Sequence, residues 1–168
     1  MKSHVITALR VVIALALLGS VFVQTVMLTL AWRDIDDIPL AIRIPVIAIF
    51  FLEIVALQVI AVCIWKLLGL VRKGTVFSSS AFKYVDMVIG AIFAISALIV
   101  GHGIAFARLN HLVPGDEVAP GMIALIGGFA LVVAGVALVV LVMRALLAQA
   151  VRRDAEATAY KSELDEVI

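Results

Sequence analysis

Charge is scarce in this chain. Only 15% of its 168 residues are Asp, Glu, Lys or Arg and 65% are hydrophobic, whereas soluble domains run at about 25% charged and roughly 45–50% apolar; a water-soluble globular fold is excluded. Nor does one sign of charge prevail: 13 basic against 12 acidic residues leave a net charge of +1, too little field for direct nucleic-acid binding. The single cysteine, Cys63, excludes an internal disulfide and, set in an apolar run, reads as a small hydrophobe. Proline is confined to positions 39, 45, 114 and 120, so long stretches between them carry no helix breaker.

What remains are four apolar runs. A bilayer core of about 30 Å takes roughly 20 helical residues at about 1.5 Å each, and Val11–Trp32, Pro45–Trp65, Val85–Phe106 and Met122–Met143 each meet that length. The first run is longer than a cleavable signal's apolar region of about 7–15 residues, so it reads as an uncleaved span. The expected fold is all-α, an up-down-up-down transmembrane four-helix bundle over residues 1–143 with a helical cytoplasmic extension over 144–168. Pro45 suits a first helical turn, Pro120-Gly121 a break in the third connection, and Ser78, Ser79 or Ser80 a helix cap.

Basic residues set the direction. Lys2, Arg10, Lys66, Arg72, Lys73, Lys83, Arg144, Arg152, Arg153 and Lys161 fall on one side of the spans, against Arg33, Arg43 and Arg108 on the other. Such a bias places both termini and the 72–83 connection in the cytoplasm.

Packing and polarity supply the candidate residues. Lipid gives apolar helices no hydrophobic reason to associate, so close approach relies on small side chains. Gly90, Ala94, Ala97 and Gly101 share one face of span three, and Gly127, Ala130, Ala134 and Ala137 one face of span four; they are expected to form a seam between these two spans or between two copies of a homo-oligomer. Glu53 is the costliest residue, about 12 Å into span two by helix rise, where an acid costs on the order of 2.5–3.5 kcal/mol. Counting from span ends puts Gln24 and His102 at similar depth, which predicts a polar cluster of Gln24, Glu53 and His102, with Thr25 and Ser96 as further members. Either a clasp that fixes helix register or a site for an ion, proton or small ligand fits that cluster.

Catalytic patterns are absent. Ser96 and His102 are six apart and point to different faces, His4, His102 and His111 form no metal-binding pair, and no phosphate loop or dinucleotide fingerprint occurs. No enzyme activity, metal or cofactor is expected.

The run Trp65-Lys66-Leu67-Leu68 through Arg72-Lys73-Gly74-Thr75-Val76-Phe77-Ser78, with the ending Glu163-Leu164-Asp165-Glu166-Val167-Ile168, resembles an uncharacterised bacterial four-span membrane protein family, domain of unknown function 2975. The resemblance implies a bacterial inner-membrane location and a cytoplasmic partner such as the small helix-turn-helix regulator encoded beside some members; it brings no catalytic residues. It turns attention to Arg72, Lys73, Gly74, Phe77 and Ser78 with Glu163, Asp165 and Glu166 as a partner-binding set, Phe77 being the apolar anchor. The alternative is an oligomeric small transporter or channel working through Glu53.

Overall fold

The computed structural model describes residues 3–27, 29–30, 33, 40–72, 79–112 and 118–165, and among them every residue except Val118 and Ala119 is helical. Helix α1 covers Ser3–Phe22 and passes into a π-helical turn, Val23–Met27. It is followed by α2 (Leu40–Arg72), α3 (Ser79–Leu112) and α4 (Pro120–Asp165). Each of the four contains a segment long and apolar enough to cross a membrane. In hydrocarbon a chain must satisfy its own backbone donors and acceptors, and a helix does so within one segment.

The connections joining α2 to α3 and α3 to α4 are too short for a crossover, so successive helices run antiparallel. Each packs mainly on its sequence neighbour, α1 on α2, α2 on α3 and α3 on α4, with the α1–α2 contact the lightest. One end of this bundle gathers Arg10, Lys66, Arg72, Lys83 and Arg144 and is termed the basic end; the other, holding Leu40, Leu112 and Pro120, is the far end.

Little is buried. Ile6 and Ile13 of α1 close on Leu68 of α2, flanked by Leu17, Ala61, Trp65 and Val71, and Ala130 and Ala137 of α4 are the tightest points of the other flank, at 2% and 0% exposure. Leu18 and Leu125 are 69% exposed and Leu131 76%; a periphery so apolar matches acyl chains as solvent. The fold is that of a multi-pass membrane protein.

Helix boundaries depart from the expected spans in instructive ways. The first helix begins at Ser3, well before Val11, and α2 begins at Leu40, so Pro45 lies inside the helix and not at its first position. Its missing N–H removes one early backbone bond, which a helix tolerates in its second turn more readily than at its centre. Pro120 opens α4 and Gly121 is helical, because proline's fixed φ suits the first helical position. No break occurs at residue 143: α4 runs 46 residues, about 69 Å of rise.

The α3–α4 turn is held by Asn110. Its Nδ2 donates to the carbonyl of Val118 at 2.8 Å and its Oδ1 accepts from the Val118 N–H at 2.7 Å, so one carboxamide closes a ring with both backbone groups of one residue. Beyond it, the Ala119 carbonyl accepts from Met122 N at 2.9 Å and starts the first turn of α4. Removing both bonds in Asn110→Ala is expected to cost about 1–2 kcal/mol, measured as a lower unfolding midpoint in detergent. Asn110→Gln, too long for the ring, should lose most of the same amount.

Candidate functional site

Polar side chains inside the apolar segments sort themselves by helix pair. Between α1 and α2, Gln58 Nε2 donates to Ser20 Oγ at 3.0 Å and to Gln24 Oε1 at 2.8 Å, while Ser20 Oγ donates to the Leu17 carbonyl at 2.8 Å. Between α2 and α3, His102 Nδ1 lies 3.2 Å from Glu53 Oε1, the side chains being 16% and 19% exposed. Between α3 and α4, the buried Ser96 Oγ donates to the Ala130 carbonyl at 2.8 Å.

Residues expected in one cluster therefore occupy three clasps. His102 meets Glu53, but Gln24 is drawn to Gln58, a residue the depth argument overlooked. The reason is azimuth. Glu53 and Gln58 are five residues apart, about 140° around a helix, so α2 offers its acid to α3 and its amide to α1. Thr25 turns back on its own helix, donating to the Val21 and Phe22 carbonyls at 2.9 and 3.1 Å. These bonds tie the π-helical turn back to the last residues of α1, and the π geometry widens the helix where Gln24 leaves it.

The Glu53–His102 contact has ion-pair distance but lacks the alignment of a directed hydrogen bond, and Glu53 Oε1 is buried without such a partner. Distance is the better guide to the electrostatics, because charge attraction tolerates misalignment that a hydrogen bond does not. Gln24 Nε2 is the second buried polar atom left without a hydrogen bond here. Phe106, one turn along α3, sets its ring 6.2 Å from the imidazole and covers it towards the far end. A paired acid and base at mid-membrane is arranged to hold or pass a proton, or to lock two helices together.

The small-residue faces also separate. Gly90, Ala94 and Ala97 line an apolar groove of about 680 Å³ with Leu52, Val55, Ala56 and Val59 of α2. At Gly101, an added Cβ would stand 3.1 Å from Ile49 Cδ1, again on α2. The span-three stripe lies beside α2, so of its two expected placements, against span four or between two copies, the one against span four does not hold. Helix α4 meets the opposite side of α3, where Ser96 holds Ala130 and an added Cβ at Gly103 would stand 3.6 Å from Ile126 Cγ2. Ala130 and Ala137 are buried there, Ala134 is half-buried, and Gly127 has nothing within 4 Å.

At the basic end two arginines stack on aromatic rings of neighbouring helices: Arg10 over Trp65 at 5.6 Å and Arg144 over Phe82 at 5.5 Å. Arg144 Nη2 also donates to Asp86 Oδ2 at 2.8 Å. Trp65, Asp86 and Arg144 lie 24–26 residues from the far ends of their helices, about 36–39 Å of rise, the depth at which a helix leaves a core of about 30 Å. Neither arginine was among the expected site residues; their signal was position, a cation directly flanking an apolar run.

Of the partner-binding set, Arg72 ends α2 and is exposed, and Glu163 and Asp165 fall in the last turn of α4. Lys73, Gly74, Phe77, Ser78 and Glu166 lie outside the described residues, as does Trp32 at the end of the first expected span. Among the described residues no group of three or more His, Cys, Asp or Glu side chains could hold a metal ion.

Comparison with curated proteins and with solved structures returns no match. A family model described as a protein of unknown function (DUF2975) matches residues 34–168, which covers α2, α3 and α4 with their glutamate–histidine pair and basic end. The chain belongs to that family.

Proposed function

We propose that this is a non-enzymatic interaction or regulatory protein of the bacterial cytoplasmic membrane, with both termini in the cytoplasm, that binds a cytoplasmic partner through its inner connection and tail. The carrying observation is α4, whose 46 residues outrun the 33 of α2 and the 34 of α3, so that its last turns, up to Asp165, stand beyond the level where those helices end. Arg152, Arg153 and Glu156 on this arm are exposed. Ten basic residues against three favour the cytoplasm as the side on which the arm stands. In this reading Arg72, Lys73, Gly74, Phe77 and Ser78 of the connection work with Glu163, Asp165 and Glu166 of the tail. A small helix-turn-helix regulator is the partner class that the family resemblance implies. Crosslinking in intact cells tests it: deleting residues 163–168 together with Phe77→Ala should remove the cytoplasmic adducts of the wild type, and their persistence would overturn the reading.

A second reading rests on the Glu53–His102 pair: a small oligomeric transporter or channel in which the pair is the proton- or ion-linked step, several copies surrounding the path. Purified protein in liposomes would then show a proton or cation flux that Glu53→Gln abolishes. Equal, negligible flux from both would remove this alternative.

A further inference from the structure

We infer that the α3–α4 seam at the basic end is a binding site for an anionic phospholipid, its phosphate on Arg144 and one acyl chain in the groove that Arg144 lines, leaving it past Met143 and Val140. The groove holds about 520 Å³ between the two helices, and Arg144 lines it with Val140 and Met143 towards the far end and Phe82, Val85, Leu147 and Ala150 towards the basic end. Apart from Arg144 the lining side chains are all apolar, which suits a hydrocarbon chain. The guanidinium stands at the depth of the headgroup layer, as the helix rise shows. It is held there on two sides, by the Phe82 ring at 5.5 Å and by Asp86 Oδ2 at 2.8 Å, so little rotamer freedom is lost on binding. One nitrogen is committed to Asp86 and the side chain remains 32% exposed; a guanidinium has five N–H donors in a planar fork that matches a phosphate.

Charge selects among phospholipids. Asp86, 49% exposed, partly neutralises Arg144, but Lys83 beside Phe82 and Arg152 and Arg153 on the next turns of α4 are exposed. The summed field at this end is positive, and basic pockets between membrane helices on the cytoplasmic side recognise anionic headgroups. Asp86 then acts as both positioner and competitor: it fixes the arginine while opposing the charge of the lipid. The site needs only that the four helices cross a bilayer, and so stands apart from the choice of cytoplasmic partner.

Native mass spectrometry of the purified full chain, equilibrated in micelles with equal phosphatidylglycerol and phosphatidylcholine, tests this. Wild type should retain the anionic lipid in preference. Arg144→Gln should lower that retention about fivefold, the equivalent of one basic contact. Leu147→Trp, which fills the groove and leaves the guanidinium in place, should lower it as well, and it keeps the test alive should Arg144→Gln fail to fold. Asp86→Asn should raise it. A merely structural ion pair predicts instead that the Arg144 and Asp86 variants move retention in the same direction, and that result overturns the proposal. So would equal retention of the two lipids by wild type, or displacement of the bound lipid by inorganic phosphate alone.

Discussion

Replacing His102 by Leu is expected to destabilise the protein by about 2–3 kcal/mol, because it leaves Glu53 without its partner where an acid costs on the order of 2.5–3.5 kcal/mol. Replacing both Glu53 and His102 by Leu should cost less than the single change, within about 1 kcal/mol of wild type. Taking out both members of a buried pair leaves no uncompensated charge, whereas taking out one does. Glu53→Gln should fall between them, since the amide matches the shape and can still hydrogen-bond. Reversible unfolding in mixed micelles would give all three values. The ordering decides the question: a double variant worse than His102→Leu would mean that the pair contributes packing and not charge compensation. The side chains are 16% and 19% exposed, and polar pairs in membranes contribute only about 0.6 kcal/mol on average, so the intact pair is itself a weak fastener. Its large effect appears when it is broken.

That asymmetry also explains which parts of the site could be read from residue order. Depth is one-dimensional: Glu53 and His102 share a height because two antiparallel helices are counted from a common end, and counting alone brings them together. Azimuth is different. In a soluble helix the polar face tells which side looks outward, but here the lipid-facing and protein-facing sides are equally apolar. Gln24 was therefore paired with Glu53 on depth alone, and only the rotation between Glu53 and Gln58 shows that it belongs to the other side of α2. Gln58 itself carried a usable signal, an amide in the middle of an apolar run, as costly to leave unpaired as any neutral polar group. The π-helical turn at Val23–Met27 had no such signal in composition or periodicity. Long helices were legible throughout, since length and hydropathy state them directly. Their order in space was legible only as antiparallel neighbours.

Opposite signs are expected within the single stripe Gly127, Ala130, Ala134 and Ala137. Ala137 is fully buried, and Ala137→Leu drives three further carbons into a contact with no room, at about 1–3 kcal/mol for overpacking. Gly127 has nothing within 4 Å, so Gly127→Ala meets no neighbour and gains the difference in helix propensity, up to about 1 kcal/mol. Both are measured by the same unfolding midpoint in a monomeric detergent complex. A stripe that packed along its whole length would be destabilised by both changes; a stripe that packs from Ala130 to Ala137 and leaves Gly127 open is stabilised by the change at its first residue and destabilised by the change at its last. Repeating the pair in a bilayer then reads a different quantity. If Gly127 lies in a contact between copies, the added methyl that stabilises the monomer should weaken self-association. A Gly127→Ala protein that is more stable in detergent yet associates as wild type in lipid would assign this face to the acyl chains alone.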